Sequence, residues 1–181
     1  MNRLEALSVL TAAGQDYELE EVVQFGEPCR AFKNAPQTLR ELFEQARSDL
    51  PFIAYEDEQI SFDEAWTRAS AIATLLKEDC GLQPGDRVAI SMRNYPEWVF
   101  AFMGITSVGA VAVAMNAWWT GEEMMYGIDD SGLSTIFVDR ERLEHLSPYL
   151  GERDLNVVSV RTEHSAGRGV VRWDEFMNRS N

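Results

Sequence analysis

The chain has 181 residues, 45% of them hydrophobic and 25% charged, with a formal net charge of −14. That length suits one domain with a small appendage and a core that needs no disulfide or metal to hold it. The acidic balance excludes a nucleic-acid partner, since phosphate binding needs clustered Lys and Arg, and it argues against an anionic membrane surface. Cys29 and Cys80 lie far apart without metal-ligand spacing, so both are expected as reduced thiols of a cytoplasmic protein. Neither His145 nor His164 stands in a nucleophile-partner motif. The first eleven residues do not form a secretory leader, and no apolar run reaches the roughly 18 residues of a membrane span.

Residues 1–35 read as a weakly patterned lead-in, with Leu4, Leu7 and Leu10 on a short helix and an acidic run from Asp16 to Glu21. A dimer contact is the alternative use of this segment. The main body runs over residues 36–181. Thr38 and Glu41 stand at capping-box spacing ahead of an amphipathic helix that ends near Ser48. Residues 52–55 and 59–61 flank a polar turn and predict a hairpin. Ser61 and Glu64 form a second capping box; Phe62, Ala65, Trp66, Ala69, Ile72, Ala73 and Leu76 make an apolar stripe, and Gly81 suits the left-handed position that stops this helix. Gln83-Pro84-Gly85-Asp86 is a turn leading to a strand over residues 87–92. Asn94 is the expected cap of a buried helix with Pro96 in its first turn.

Gly109 ends that helix, and residues 110–115 predict a strand buried on both faces. Thr120 and Glu123 form a third capping box, for a helix carrying Met124, Met125 and Ile128 and closing near Gly132. Residues 135–138 predict a strand, and Asp139 caps the helix after it. Another strand spans residues 156–160. A polar loop over 162–169 and a short extended piece at 170–173 complete the pattern. The alternation from Arg87 onward specifies an α/β fold with a doubly wound, mostly parallel sheet and flanking helices, preceded by a small helix and a β-hairpin.

Little chemistry is visible in the residues. No glycine-rich phosphate fingerprint follows the first parallel strand, and there is no Walker loop, nucleophile elbow or metal-ligand cluster. Gly104 and Gly109 read as close helix–sheet packing. Asp129 and Asp130 point to different sides of their helix and serve solvation. Trp118 and Trp119 follow a strand's carboxyl end, where open α/β sheets bind ligands. They would line an acyl pocket or pack against further protein. Arg140 and Arg142, also at a carboxyl end, are candidate phosphate contacts, though Asp139, Glu141 and Glu144 neutralise the patch.

Five segments carry a family resemblance. They are Ile60-Ser61-Phe62-Asp63-Glu64-Ala65; Gly81-Leu82-Gln83-Pro84-Gly85-Asp86-Arg87-Val88-Ala89; Asn94-Tyr95-Pro96-Glu97-Trp98 with Gly109-Ala110-Val111; Asn116 with Thr120-Gly121-Glu122-Glu123; and Ile136-Phe137-Val138-Asp139. In order and in spacing they resemble the opening third of adenylate-forming (AMP-binding) enzymes, on the fatty-acid and related acyl-CoA ligase branch.

The resemblance implies a two-step reaction: a carboxylate attacks ATP to give an acyl-adenylate and pyrophosphate, then the thiol of CoA displaces AMP, with Mg²⁺ offsetting phosphate charge. It also implies a much longer polypeptide whose phosphate loop, ending Gly-x-Pro-Lys, falls beyond Asn181. No catalytic, cofactor-binding or metal residue is therefore assigned within this chain. As a truncated part of the domain it is expected to be inactive alone, to bind no ATP, Mg²⁺ or CoA by itself, and to need the rest of its polypeptide as partner. Self-association through Trp118, Trp119 and neighbouring Met residues is a further expectation. The alternative is a natural short binding or assembly module that reuses the fold.

Overall fold

A computed structural model describes residues 2–151, 153–163 and 169–180. The chain divides into two compact units, Met1–Thr38 and Leu39–Asn181.

In the first unit, helix α1 (Arg3–Leu10) starts from Asn2, whose side chain accepts from the Glu5 amide while the Glu5 carboxylate accepts from the Asn2 amide. None of its residues is buried. Strands β1 (Leu19–Gln24) and β2 (Glu27–Phe32) pair antiparallel, and Lys33 bonds Glu18 at 2.9 Å. The hairpin is absent from the sequence expectation, which held this region to a loose lead-in with one helix. Its two turn residues, Phe25 and Gly26, both have positive φ (52° and 87°), the geometry of a two-residue hairpin turn. Gly26 adopts this freely; Phe25 does so against its Cβ, which is why no turn signal stands there.

The second unit opens with α2 (Leu39–Gln45), shorter than predicted, and the antiparallel pair β3 (Pro51–Tyr55) and β4 (Glu58–Ser61). Helix α3 (Phe62–Glu78) starts at the Ser61–Glu64 capping box. Then follow β5 (Arg87–Ser91), α4 (Pro96–Ser107), β6 (Val111–Ala114), α5 (Gly121–Ser131), β7 (Thr135–Asp139), α6 (Arg140–Leu146), β8 (Asn156–Val160), β9 (Val170–Arg172) and α7 (Trp173–Met177). Of the predicted polar loop at 162–169, residues 164–168, with His164, lie outside the described residues.

The five strands from β5 onward form one parallel sheet in the order β6-β5-β7-β8-β9. The chain steps from β5 out to β6 and then crosses back over β5 to β7. Side-chain alternation divides the core between the two faces. Val88, Ile90, Phe137, Val158 and Val160 pack with α3, α4 and α7. Ala89, Ile136, Val138 and Val157 pack with α5 and α6. The doubly wound architecture expected from the alternation is thus the observed one.

Three local expectations change. The residue before α4 is Tyr95, with no side-chain cap, so Asn94 is not the cap; Pro96 occupies the first turn as predicted. Gly104 serves helix–helix rather than helix–sheet packing: a Cβ there would lie 2.8 Å from Ile72 Cγ2 and 2.9 Å from the Ala69 carbonyl of α3. The VAVA strand β6 is not covered on both sides but forms the sheet edge, with Val111 half exposed. Its composition suits a buried strand; its place in the order leaves one side without a neighbour.

Candidate functional site

Open α/β sheets receive ligands at the carboxyl ends of strands, where the strand order reverses. Here that point lies between β5 and β7. Asp139, the last residue of β7 and the cap of α6, is buried, and its carboxylate accepts from the Arg142 amide at 3.1 Å. The same carboxylate accepts from the Arg93 amide just beyond β5 at 2.9 Å. The side chain of Arg142 is 1% exposed. Its Nη1 donates to Asp139 Oδ2 at 3.2 Å and to Glu141 Oε2 at 2.8 Å. Its Nε donates to the Ala117 carbonyl, after β6, at 2.7 Å, and Nη2 reaches the same oxygen. One ion pair therefore ties together the loops that leave β5, β6 and β7.

Above this tie, the Arg93 guanidinium lies 4.1 Å from the ring centroid of Trp118 and 3.4 Å from Glu141. Burial alone would raise the Glu141 carboxyl, but the Arg142 and Arg93 guanidiniums outweigh it and hold the group below the usual carboxylate range. Trp118 is 73% exposed. Trp119 turns the other way and is half-buried, with its ring 2.8 Å from where a Cβ on Gly127 would stand. The Trp119 carbonyl lies 3.1 Å from His145 Nδ1.

The two arginines singled out in the sequence thus separate. Arg142 is not a phosphate contact: it is buried and its donors go to Asp139, Glu141 and Ala117. Arg140 is exposed and, among the described residues, pairs with Glu144 at 3.9 Å; it lines a cleft of about 320 Å³ with Glu144, Ser147, Arg161, Thr162 and Glu163. The expected patch of Trp118, Trp119 and Met residues is likewise reduced, since Met115 and Met124 are buried and only Trp118 stands well exposed. Arg161, which the sequence reading passed over, is held at φ 53°. It pairs with Glu97 at 3.1 Å and Glu58 at 3.2 Å, and its guanidinium lies 4.8 and 5.0 Å from the ring centroids of Tyr55 and Tyr95. No local signal marks it, because its carboxylate partners lie 64 and 103 residues away.

The Arg142 guanidinium is already taken up by Asp139, Glu141 and the Ala117 carbonyl, the loop after β5 has no glycine for close approach of a phosphate, and the Arg93 guanidinium is met by Glu141. The residues present do not fit a triphosphate there. Among the described residues no group of three metal-binding side chains occurs.

The AMP-binding enzyme family matches residues 41–175. Over 105 residues the chain is 34% identical to the long-chain-fatty-acid–CoA ligase of Salmonella typhimurium, covering 56% of this chain and 19% of that protein. Over 99 residues it is 31% identical to the 3-hydroxybenzoate/4-hydroxybenzoate–CoA ligase of Thauera aromatica, covering 54% and 19%. The chain thus spans about a fifth of the length of these relatives. Among solved structures, the anthranilate CoA ligase AuaEII in complex with anthranoyl-AMP superposes with a TM-score of 0.72 at 21% identity, over 78% of this chain and 28% of that one, a likeness of fold.

Proposed function

Since the chain belongs to the AMP-binding enzyme family, we propose that it is the N-terminal part of an ATP-dependent acyl-CoA ligase acting on a fatty acid or a related carboxylic acid. The observation that carries the proposal is the family match over residues 41–175, and the identities to two CoA ligases support it. In this reading the carboxylate first displaces pyrophosphate from ATP, and the thiol of CoA then displaces AMP. Residues outside these 181 supply the triphosphate site and the Mg²⁺ site. This segment supplies scaffold: the Asp139–Arg142 tie fixes the loops that leave β5, β6 and β7 at the sheet's carboxyl edge. A cytoplasmic location belongs to the proposal, supported by the two unpaired thiols, Cys29 and Cys80.

The 181 residues alone are inactive on this reading. Incubated with ATP, Mg²⁺, CoA and a panel of aliphatic and aromatic acids, they release pyrophosphate at the protein-free rate. Acid-dependent pyrophosphate release by the purified chain would overturn the division of labour.

A further inference from the structure

On the outer face of α3, away from the sheet, a cleft of about 200 Å³ opens between α2, α3 and the end of α4. Its ionisable lining is Arg40 and Lys77 alone, joined by Trp66, Ser70, Thr74 and Ser107. In a chain of net charge −14, a cleft lined by two cations and no carboxylate runs against the composition. Among the described residues neither cation stands in a salt bridge with a carboxylate. Arg40 is the second residue of α2, where the helix dipole disfavours a positive charge. The Ser107 hydroxyl is shut off from water without a hydrogen-bond partner, and buried hydroxyls are rarely left so.

The helix ends beside the cleft have their last carbonyls engaged. The Ile105 and Thr106 carbonyls of α4 already accept from the amides of Val108, Gly109 and Ala110. The Leu75 and Leu76 carbonyls of α3 accept from Asp79, Cys80 and Leu82. We infer that this cleft is an anion-binding site for a phosphate group, held between Arg40 and Lys77, with Ser107 turning about χ1 to donate. The Trp66 ring offers a planar face to whatever the phosphate carries. The site stands apart from the carboxyl edge of the sheet and does not depend on the ligase reading.

The test is a titration of the 181-residue chain with inorganic phosphate at constant ionic strength, followed at the Trp66 indole N–H and the Ser107 amide in ¹H–¹⁵N spectra. The expected result is a saturating shift at both, absent with chloride, and weakened about tenfold or more in the double variant Arg40→Gln/Lys77→Gln. Both side chains belong to exposed residues, so the remaining resonances should stay in place. A shift that chloride reproduces, that never saturates, or that the double variant retains overturns the site. A parallel titration with AMP separates the sources of the group. Tighter binding than phosphate assigns the Trp66 face to a nucleotide base; equal binding assigns the site to the free anion.

Discussion

Arg142, in α6, is buried together with Asp139 at the end of β7. Its guanidinium is the main counter-charge to the buried Asp139, and its carbonyl contact holds Ala117. Replacing Arg142 with Met leaves the Asp139 carboxylate uncompensated and should cost about 3–5 kcal/mol in urea unfolding. The double variant Asp139→Asn/Arg142→Met should cost less than the single one, because no lone buried charge remains; equal losses would contradict this. Gly104→Ala, which drives a methyl into Ile72 and the Ala69 carbonyl, should lose about 1–3 kcal/mol, read the same way.

Acid acts on carboxylates held below their usual range, Glu64 and Glu141 among them. Glu64 is held below its usual 4.5 by the Ser61 amide, and Glu141 by its two arginines against the opposing effect of burial. A folded pKa below the unfolded one means the stability is present in full above about pH 4.5 and is lost as pH falls through the lowered value. The urea midpoint should therefore drop on acidification below pH 4.5, less steeply in Glu141→Gln, and an unchanged slope would contradict the assignment. In the sequence, Asp139 was legible as a cap because its partner lies three residues on. The role of Arg142 was not, since Ala117 lies 25 residues away and local charge counting shows neutralisation but never burial.

Among elements, those with local signals at both ends were read correctly. α3 and α5 begin at capping boxes at Ser61 and Thr120, and α5 closes on Gly132 at φ 64°. Thr120→Ala removes the acceptor for the Glu123 amide and should cost about 1 kcal/mol in thermal unfolding, with loss of helicity confined to α5. Two elements were misread, one for its turn and one for its place in the sheet. The β1–β2 hairpin turns on Phe25-Gly26, which no turn preference announces. β6 has the composition of a central strand, and only the strand order puts it at an edge.

At the scale of the molecule, the alternation of strands and helices was enough to specify a parallel doubly wound sheet, because each crossover buries one helix on one face. Strand order was not specified, since it depends on which side of β5 each crossover falls. That order leaves the β6 edge open, and Trp118 and Tyr126 stand exposed. Taken alone, the chain is proposed to self-associate through such apolar surface, which sedimentation over a concentration series would read as rising mass; a monomer throughout would contradict it.

On the proposed function, these residues open an acyl-CoA ligase whose nucleotide chemistry lies beyond them. The most direct measurement is the source gene's sequence downstream of the Asn181 codon. The account predicts an open frame running on into a Thr/Ser/Gly-rich loop that ends Gly-x-Pro-Lys. A natural stop codon directly after Asn181 would contradict it and leave the fold in use as a binding or assembly module.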